Sequence, residues 1–224
     1  MAKQKLPTLT TPRGTFGYTW INKPDSKFAK EGEKGDYKTE LTVDSGPCAE
    51  LIAKIDEAAD EKMAAVEKDL KSKGNDPKAK KALQKLSRYV PYDVLTDDDG
   101  DEIGRVKFRF KVNAEGKNDK GETWDNKPPL FDAKGKPADL IVRGGSEGKV
   151  SFQIVPFYNA ATGDAGVTLR LKAVQAIKLA AGGGGSASSY GFGAEDGGDD
   201  EHEGDAADRF TDESGSDDEG DVDF

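Results

Sequence analysis

The sequence is poor in the residues on which much enzyme and metal chemistry depends. Among 224 residues there is one histidine, His202, and one cysteine, Cys48. His202 stands in the acidic C-terminal segment, so neither a histidine-based nucleophilic triad nor a multi-histidine metal site can be assembled in the body of the chain. A single cysteine forbids an intramolecular disulfide and points to a reducing, intracellular setting. No apolar run approaches the roughly 18 residues of a membrane span, and the opening Met-Ala-Lys-Gln-Lys lacks the apolar stretch of a signal peptide. A soluble, non-secreted protein is expected. Apolar residues make up only 34%, low for a wholly packed chain, so part of it is expected not to fold.

Charge is present in quantity and is unevenly placed. The net value of −10 combines two unlike parts. Residues 194–224 hold 15 of the 43 acids and one basic residue, Arg209, which sets that segment at −14 and leaves residues 1–193 at +4. A basic body favours a polyanionic ligand, while a block of like charge stays solvated and extended. Residues 182–224 begin with four glycines and a serine, then continue through Gly, Ser, Ala, Asp and Glu. This composition predicts a flexible linker and a disordered acidic tail, with the folded domain ending at 181.

The body reads as mainly β. Phe16, Tyr18 and Trp20 alternate with Thr15, Gly17 and Thr19, predicting a strand over 15–21 before a Lys-Pro-Asp loop at 23–25. Tyr37, Thr39, Leu41 and Val43 predict a second. The period then changes to three and four at Leu51, Ile52, Ile55, Ala59, Val66 and Leu70, behind Ser45 as N-cap and Pro47, predicting a long helix that ends near Gly74. Asp76-Pro77 starts a shorter, basic one. Strands follow at 89–95, 105–112, 138–143, 149–157 and 166–179. Helices crowded at one place in a β-rich order suit an antiparallel barrel or sandwich with a helical insertion.

Two tempting motifs fail. Gly144-Gly-Ser-Glu-Gly-Lys149 has Arg143 where a phosphate loop needs its first glycine and Val150 where it needs Ser or Thr. Asp97 to Glu102 resembles a calcium loop, but aligning Gly100 with the required glycine puts Leu95 and Val106 at ligand positions. A hairpin turn explains it.

Positive signals lie on two strands. In 105–112, Val106, Phe108, Phe110 and Val112 point one way and Arg105, Lys107, Arg109 and Lys111 the other, because side chains alternate across a strand. Such a row can track phosphates, and a solvated or edge-protecting face is the competing explanation. In 149–157, Val150, Phe152 and Ile154 form the inward set, which displays Phe157 beside Lys149 if the alternation survives Pro156. An outward aromatic offers a stacking surface to a base, and packing under a loop is the alternative. Tyr18 and Trp20 are carried as candidate contacts, although aromatics at spacing two are more often core.

At these residues the chain resembles the bacteriophage T7-type single-stranded DNA-binding protein family. Tyr18-Thr-Trp-Ile-Asn-Lys-Pro-Asp25 is similar to its Tyr-x-Tyr-Ile-x-Lys-Pro-Asp, and Gly35-Asp-Tyr-Lys-Thr-Glu-Leu-Thr42 to its second-strand segment. Lys107-Phe-Arg-Phe-Lys111, the Gly-Gly-Ser to Val-Pro-Phe157 segment, Gly166-Val-Thr-Leu-Arg-Leu-Lys172 and a tail closing in Gly220-Asp-Val-Asp-Phe224 follow in order. The resemblance implies an oligonucleotide-binding (OB) fold with an inserted helix, no enzymatic activity and no cofactor. It places Lys34, Lys149 and Phe157 where the family contacts DNA, and extends the set to Lys3. Glu147 and Ser151 depart from the pattern, standing where the T7 protein has lysines, and Phe157 replaces a tyrosine.

The same resemblance implies replication, recombination, repair and strand annealing in the cytoplasm of an infected bacterium, and a homodimer. Phage DNA polymerase and primase-helicase would dock on the tail through Phe224, Asp223 and Asp221. The competing reading is an acidic-tailed interaction factor, a DNA mimic or chaperone, which would act without nucleic acid. A magnesium-dependent nuclease lacks clustered carboxylates on the predicted strand ends.

Overall fold

The computed structural model describes residues 6–27, 29–118 and 120–180. In chain order its elements are β1 (Leu9–Thr10), β2 (Gly14–Asp25), β3 (Asp36–Asp44), α1 (Ser45–Ser72), α2 (Pro77–Lys85), β4 (Ser87–Tyr89), β5 (Tyr92–Thr96), β6 (Glu102–Asn113), β7 (Glu115–Lys117), β8 (Thr123–Asp125), β9 (Leu130–Phe131), β10 (Glu147–Tyr158) and β11 (Asp164–Lys178).

Five strands pair in a ring, β2 to β3 to β6 to β11 to β10 and back to β2. Four of these junctions are antiparallel, and β6 with β11 is parallel. Two junctions are short. β10 meets β2 only at Glu147↔Thr15 and Gly148↔Gly14, and β11 meets β6 only at Leu169↔Phe110 and Arg170↔Lys111. The expected mainly β, OB-type architecture is present, as a ring-like sheet more open than a barrel and with that one parallel junction. Where β10 meets β2 both strands carry glycine, packed closely against their other neighbours, β11 and β3. A Cβ on Gly148 would lie 2.1 Å from the Gln175 carbonyl oxygen, and one on Gly14 2.4 Å from that of Thr42, approaches that only a missing side chain permits.

Strict alternation builds the interior. Tyr37, Thr39, Leu41 and Val43 of β3 and Val106, Phe108 and Phe110 of β6 are buried, as the period of two predicts. Phe110 packs its ring 5.2 Å from that of Phe152, and each such buried side chain contributes about 1.5–3 kcal/mol relative to exposure. α1 lays Cys48, Ile55 and Ala59 into this core, while Val66 and Leu70 join Ala79 of α2 and Ala165 of β11 in a second cluster. Its cap is Asp44 in extended backbone, without a side-chain cap bond, rather than Ser45, which is already helical. Asp76 does cap α2, accepting from the Lys78 N–H. Arg88 bridges to Asp56 at 2.7 Å and Asp60 at 2.5 Å, and Tyr92 donates to Asp56 at 2.9 Å. These contacts tie α1 to β4 and β5.

Several expectations are corrected. Lys23-Pro24-Asp25 is not a loop, because β2 runs on to Asp25 and pairs there with Asp36. The strand over 89–95 is broken at Pro91, which cannot donate to a ladder, so β4 pairs with β11 and β5 with β6. No strand forms at 138–143. The Asn22 side chain substitutes for a neighbouring strand there, donating to the Leu140 carbonyl and accepting from the Val142 N–H at 3.1 Å. The small strands β1, β7, β8 and β9 were not anticipated. The linker and tail assigned to 182–224 lie outside the described residues.

Candidate nucleic-acid interface

The site begins with a break in alternation. Phe16 pairs with Leu41 and Thr19 with Thr39, so β2 carries one extra residue between them. This bulge lets Phe16 and Ile21, an odd number of positions apart, both be buried. It also turns Tyr18 out to 51% exposure and leaves Trp20 half-buried. The competing assignment of this pair to the core is therefore set aside. Their ring centroids lie 6.1 Å apart at 55°, with the Lys38 ammonium 5.3 Å from the Tyr18 centroid and that of Lys23 5.3 Å from Trp20.

Beneath this pair Asp25 acts as an anchor. Its buried carboxylate takes the Lys38 ammonium at 2.6 Å, the Tyr18 hydroxyl at 3.2 Å and the Lys27 N–H at 3.0 Å. The hydrogen bond from Lys38, followed by that from the Lys27 amide, holds the Asp25 carboxyl below its ordinary range, against the opposing effect of burial. Three donors on one carboxylate fix where Tyr18 and Lys38 sit.

The outer face of the ring opens beside them into a cleft of about 330 Å³, lined among others by Tyr18, Lys38, Glu40, Tyr89, Arg109 and Lys111. Arg105, Lys107, Arg109 and Lys111 share the outer face of β6, as the alternation predicts, but they are not an unbroken row of free cations. Arg105 lies 4.0 Å from Asp44, and Arg109 is bridged to Asp93. Lys107 and Lys111 make no ion pair among the described residues. Lys111 sits directly across from Lys38, so its unpaired ammonium lies at the Tyr18 end of the cleft, beside the Lys38–Asp25 bridge.

The other candidates are more scattered. Phe157 is half-buried and meets Tyr89 edge-on, with centroids 5.4 Å apart, which attaches it to the rim of the cleft through Tyr89. It does not stand beside Lys149. Eight positions along one strand separate them, about 26 Å at the usual rise. Lys149 lies across from Gln175 on β11, and neighbouring Glu147 is taken up by Arg13 at 2.7 Å. Lys34 lines a second, mostly acidic recess with Asp25, Glu33, Asp36 and Glu115, and pairs with Glu115 at 3.3 Å. Phe224, Asp223, Asp221 and Lys3 lie outside the described residues.

Lys23, Lys38 and Tyr89 were missed as site residues. The odd spacing of Phe16 and Ile21 was the available signal for the bulge, whereas the meeting of Tyr89 with β6 had none. The Asp97 run forms the expected hairpin turn, with Asp97 accepting from the Asp99 and Asp101 amides at 3.1 and 2.9 Å and Gly100 at φ 89°.

A family model described as "Single-stranded DNA-binding protein, Bacteriophage T7" matches residues 14–179, which span the ring, both helices and the cleft. The chain belongs to the T7 single-stranded DNA-binding protein family. Two curated relatives agree. The single-stranded DNA-binding protein of Enterobacteria phage T3 is 32% identical over 208 residues, 88% of this chain and 87% of its own length. That of Escherichia phage T7 is 32% identical over 177 residues, 75% and 74% respectively. The crystal structure of gp2.5, a single-stranded DNA-binding protein encoded by bacteriophage T7, superposes with a TM-score of 0.63 at 30% identity, covering 81% of this chain and 95% of that one. Membership in the T7 family extends across the β2 bulge, the Asp25 anchor and the cleft, so each belongs to the matched region.

Proposed function

We propose that this protein binds single-stranded DNA without strong sequence preference, laying bases on Tyr18 and Trp20 and phosphates along Lys38, Lys111 and the β6 row. The observation that carries this reading is the aromatic pair turned outward by the bulge, with the ammonium groups of Lys23 and Lys111, unpaired among the described residues, close by and Lys38 held beside Tyr18 by Asp25. An exposed cation–π contact is worth only about 0.5–1 kcal/mol, whereas base stacking on an aromatic side chain is worth about 1–3 kcal/mol. A nucleobase therefore displaces Lys23 from the Trp20 ring, and the released ammonium is left free to meet a phosphate, while Lys38 stays anchored on Asp25. Phe157 and Tyr89 extend the rim, while Lys34 and Lys149 serve as outlying phosphate contacts. Arg105 and Arg109 trade their carboxylates for DNA.

Residues 194–224 supply a second function in this reading. The −14 segment competes for the basic face and is displaced by DNA. Phe224, flanked by Asp223 and Asp221, is a terminal aromatic and carboxylate suited to a pocket edged by a cation. Its partners would be the phage DNA polymerase and primase-helicase, and the setting replication, recombination, repair and annealing in the cytoplasm of the infected host, with the protein a homodimer. Family membership and the charge contrast support these roles. Fluorescence anisotropy of labelled oligo(dT) with duplex competitor, on the full chain and on a chain lacking 194–224, tests the core claim. Strand-selective binding retained without the tail is expected. Absence of binding in both forms would leave the acidic-tailed interaction factor as the better reading.

A further inference from the structure

We infer that the DNA path does not end at Trp20 but continues into a second subsite, where the segment 140–146 presents Ile141 and Arg143 to the strand alongside Trp20 and Lys23. The inference rests on the function proposed above and adds residues that neither alternation nor resemblance singled out.

A groove of about 500 Å³ adjoins Trp20 on the side away from the Tyr18 cleft, lined among others by Trp20, Lys23, Ile141, Val142, Arg143 and Gly144. Its walls are held firmly. Asn22 grips the backbone at Leu140 and Val142. The Gly145 N–H donates to the Phe16 carbonyl at 2.8 Å and the Phe16 N–H to that of Ser146 at 2.8 Å. Val142 is buried as a plug, and a Cβ on Gly144 would come within 2.9 Å of the Gly17 carbonyl oxygen. With the backbone clamped on both sides, Ile141 is nevertheless 59% exposed and Arg143 faces solvent. The clamped segment holds Ile141 out on the same groove as the Trp20 ring.

Charge favours the same occupant. The groove lining contains Lys23 and Arg143 and no acid, and neither makes an ion pair among the described residues. The recess around Lys34 contrasts with it, containing Asp25, Glu33, Asp36 and Glu115. A flat apolar surface from Trp20 and Ile141 beneath two free cations matches one further base and its flanking phosphates. Because the surface is preorganised, little ordering entropy opposes binding.

The test compares the full chain with Lys23→Ala/Ile141→Ser/Arg143→Ala and with Tyr18→Ala/Lys111→Ala, titrating an oligo(dT) length series across salt concentrations. Loss of two phosphate contacts at about 0.7 each should flatten the log–log salt slope by about 1.4 and weaken binding on the order of 25-fold at about 0.1 M salt. Affinity should also stop rising with length at a shorter oligonucleotide. Thermal melting should not move, since all three side chains face solvent. If the parent binds and the Tyr18 variant weakens while the triple variant keeps the parent's affinity, slope and length dependence, the second subsite is refuted and the main cleft stands. A parent that does not bind oligo(dT) overturns both readings.

Discussion

At the scale of single residues, exposure and partners separate the side chains that stabilise the fold from those available to a ligand. Tyr18 has half its surface free, so Tyr18→Ala should cost about 1–3 kcal/mol of oligo(dT) affinity with little change in melting temperature; equal affinity for mutant and parent would remove Tyr18 from the interface. Cys48 is the opposite case. Burial, its largest cause, pushes the thiol pKa above its ordinary value, and the sulfur lies against the Asp44 and Ser45 carbonyls. It should resist a thiol-specific reagent until the protein unfolds, and rapid labelling of the native state would contradict that. Asp25 carries the acid dependence of the site. Its folded pKa is depressed from 3.8, so the stabilisation is fully present above that value and is lost as pH falls through the lower folded value. The stability difference between parent and Asp25→Asn should be constant from neutral pH to about 5 and shrink below 3.8, as melts across an acid series would show. A constant difference down to the acid limit would count against the anchor.

Secondary-structure elements show where alternation can be trusted. It places every side chain of β3 and Arg105 to Val112 of β6 correctly, because both strands pair on each side through most of their length and one face of each is buried. It fails on β2, where one extra residue reverses the faces midway, and at 138–143, where an amide side chain does the work of a ladder. Asn22 is the testable part of the second failure. Asn22→Ala leaves the Val142 N–H and the Leu140 carbonyl without their partner, a loss worth about 1–3 kcal/mol where such groups are buried. Hydrogen exchange at the Val142 amide should accelerate selectively, with β3 and β6 amides unaffected; uniform acceleration would show that Asn22 supports the whole ring instead.

At the scale of the whole molecule, a body of net +4 joined to a segment of −14 makes salt and tail removal the informative variables. Deleting 194–224 should leave oligo(dT) affinity unchanged or raise it, with log affinity falling against log salt at about 0.7 per phosphate contacted. Weaker binding without the tail would show that the tail contributes contacts instead of competing for them. Removing Phe224 alone should abolish capture of the phage polymerase while DNA affinity holds, as pull-down and anisotropy on the same preparation would report. The sequence alone determined the β-rich order, the long helix, the basic face of β6, the charge division and the family, since these rest on local periodicity, composition and collinear motifs. Tertiary structure decided which aromatics and cations meet. Lys38 reaches Tyr18 through the β2–β3 pairing, Tyr89 reaches the β6 cleft through the parallel pairing of β4 with β11, and Ile141 stays exposed because Asn22 holds the backbone on either side of it, at Leu140 and Val142, 118 and 120 positions away. Contacts of that kind depend on register and on where the ring closes, and neither leaves a periodic trace in the chain.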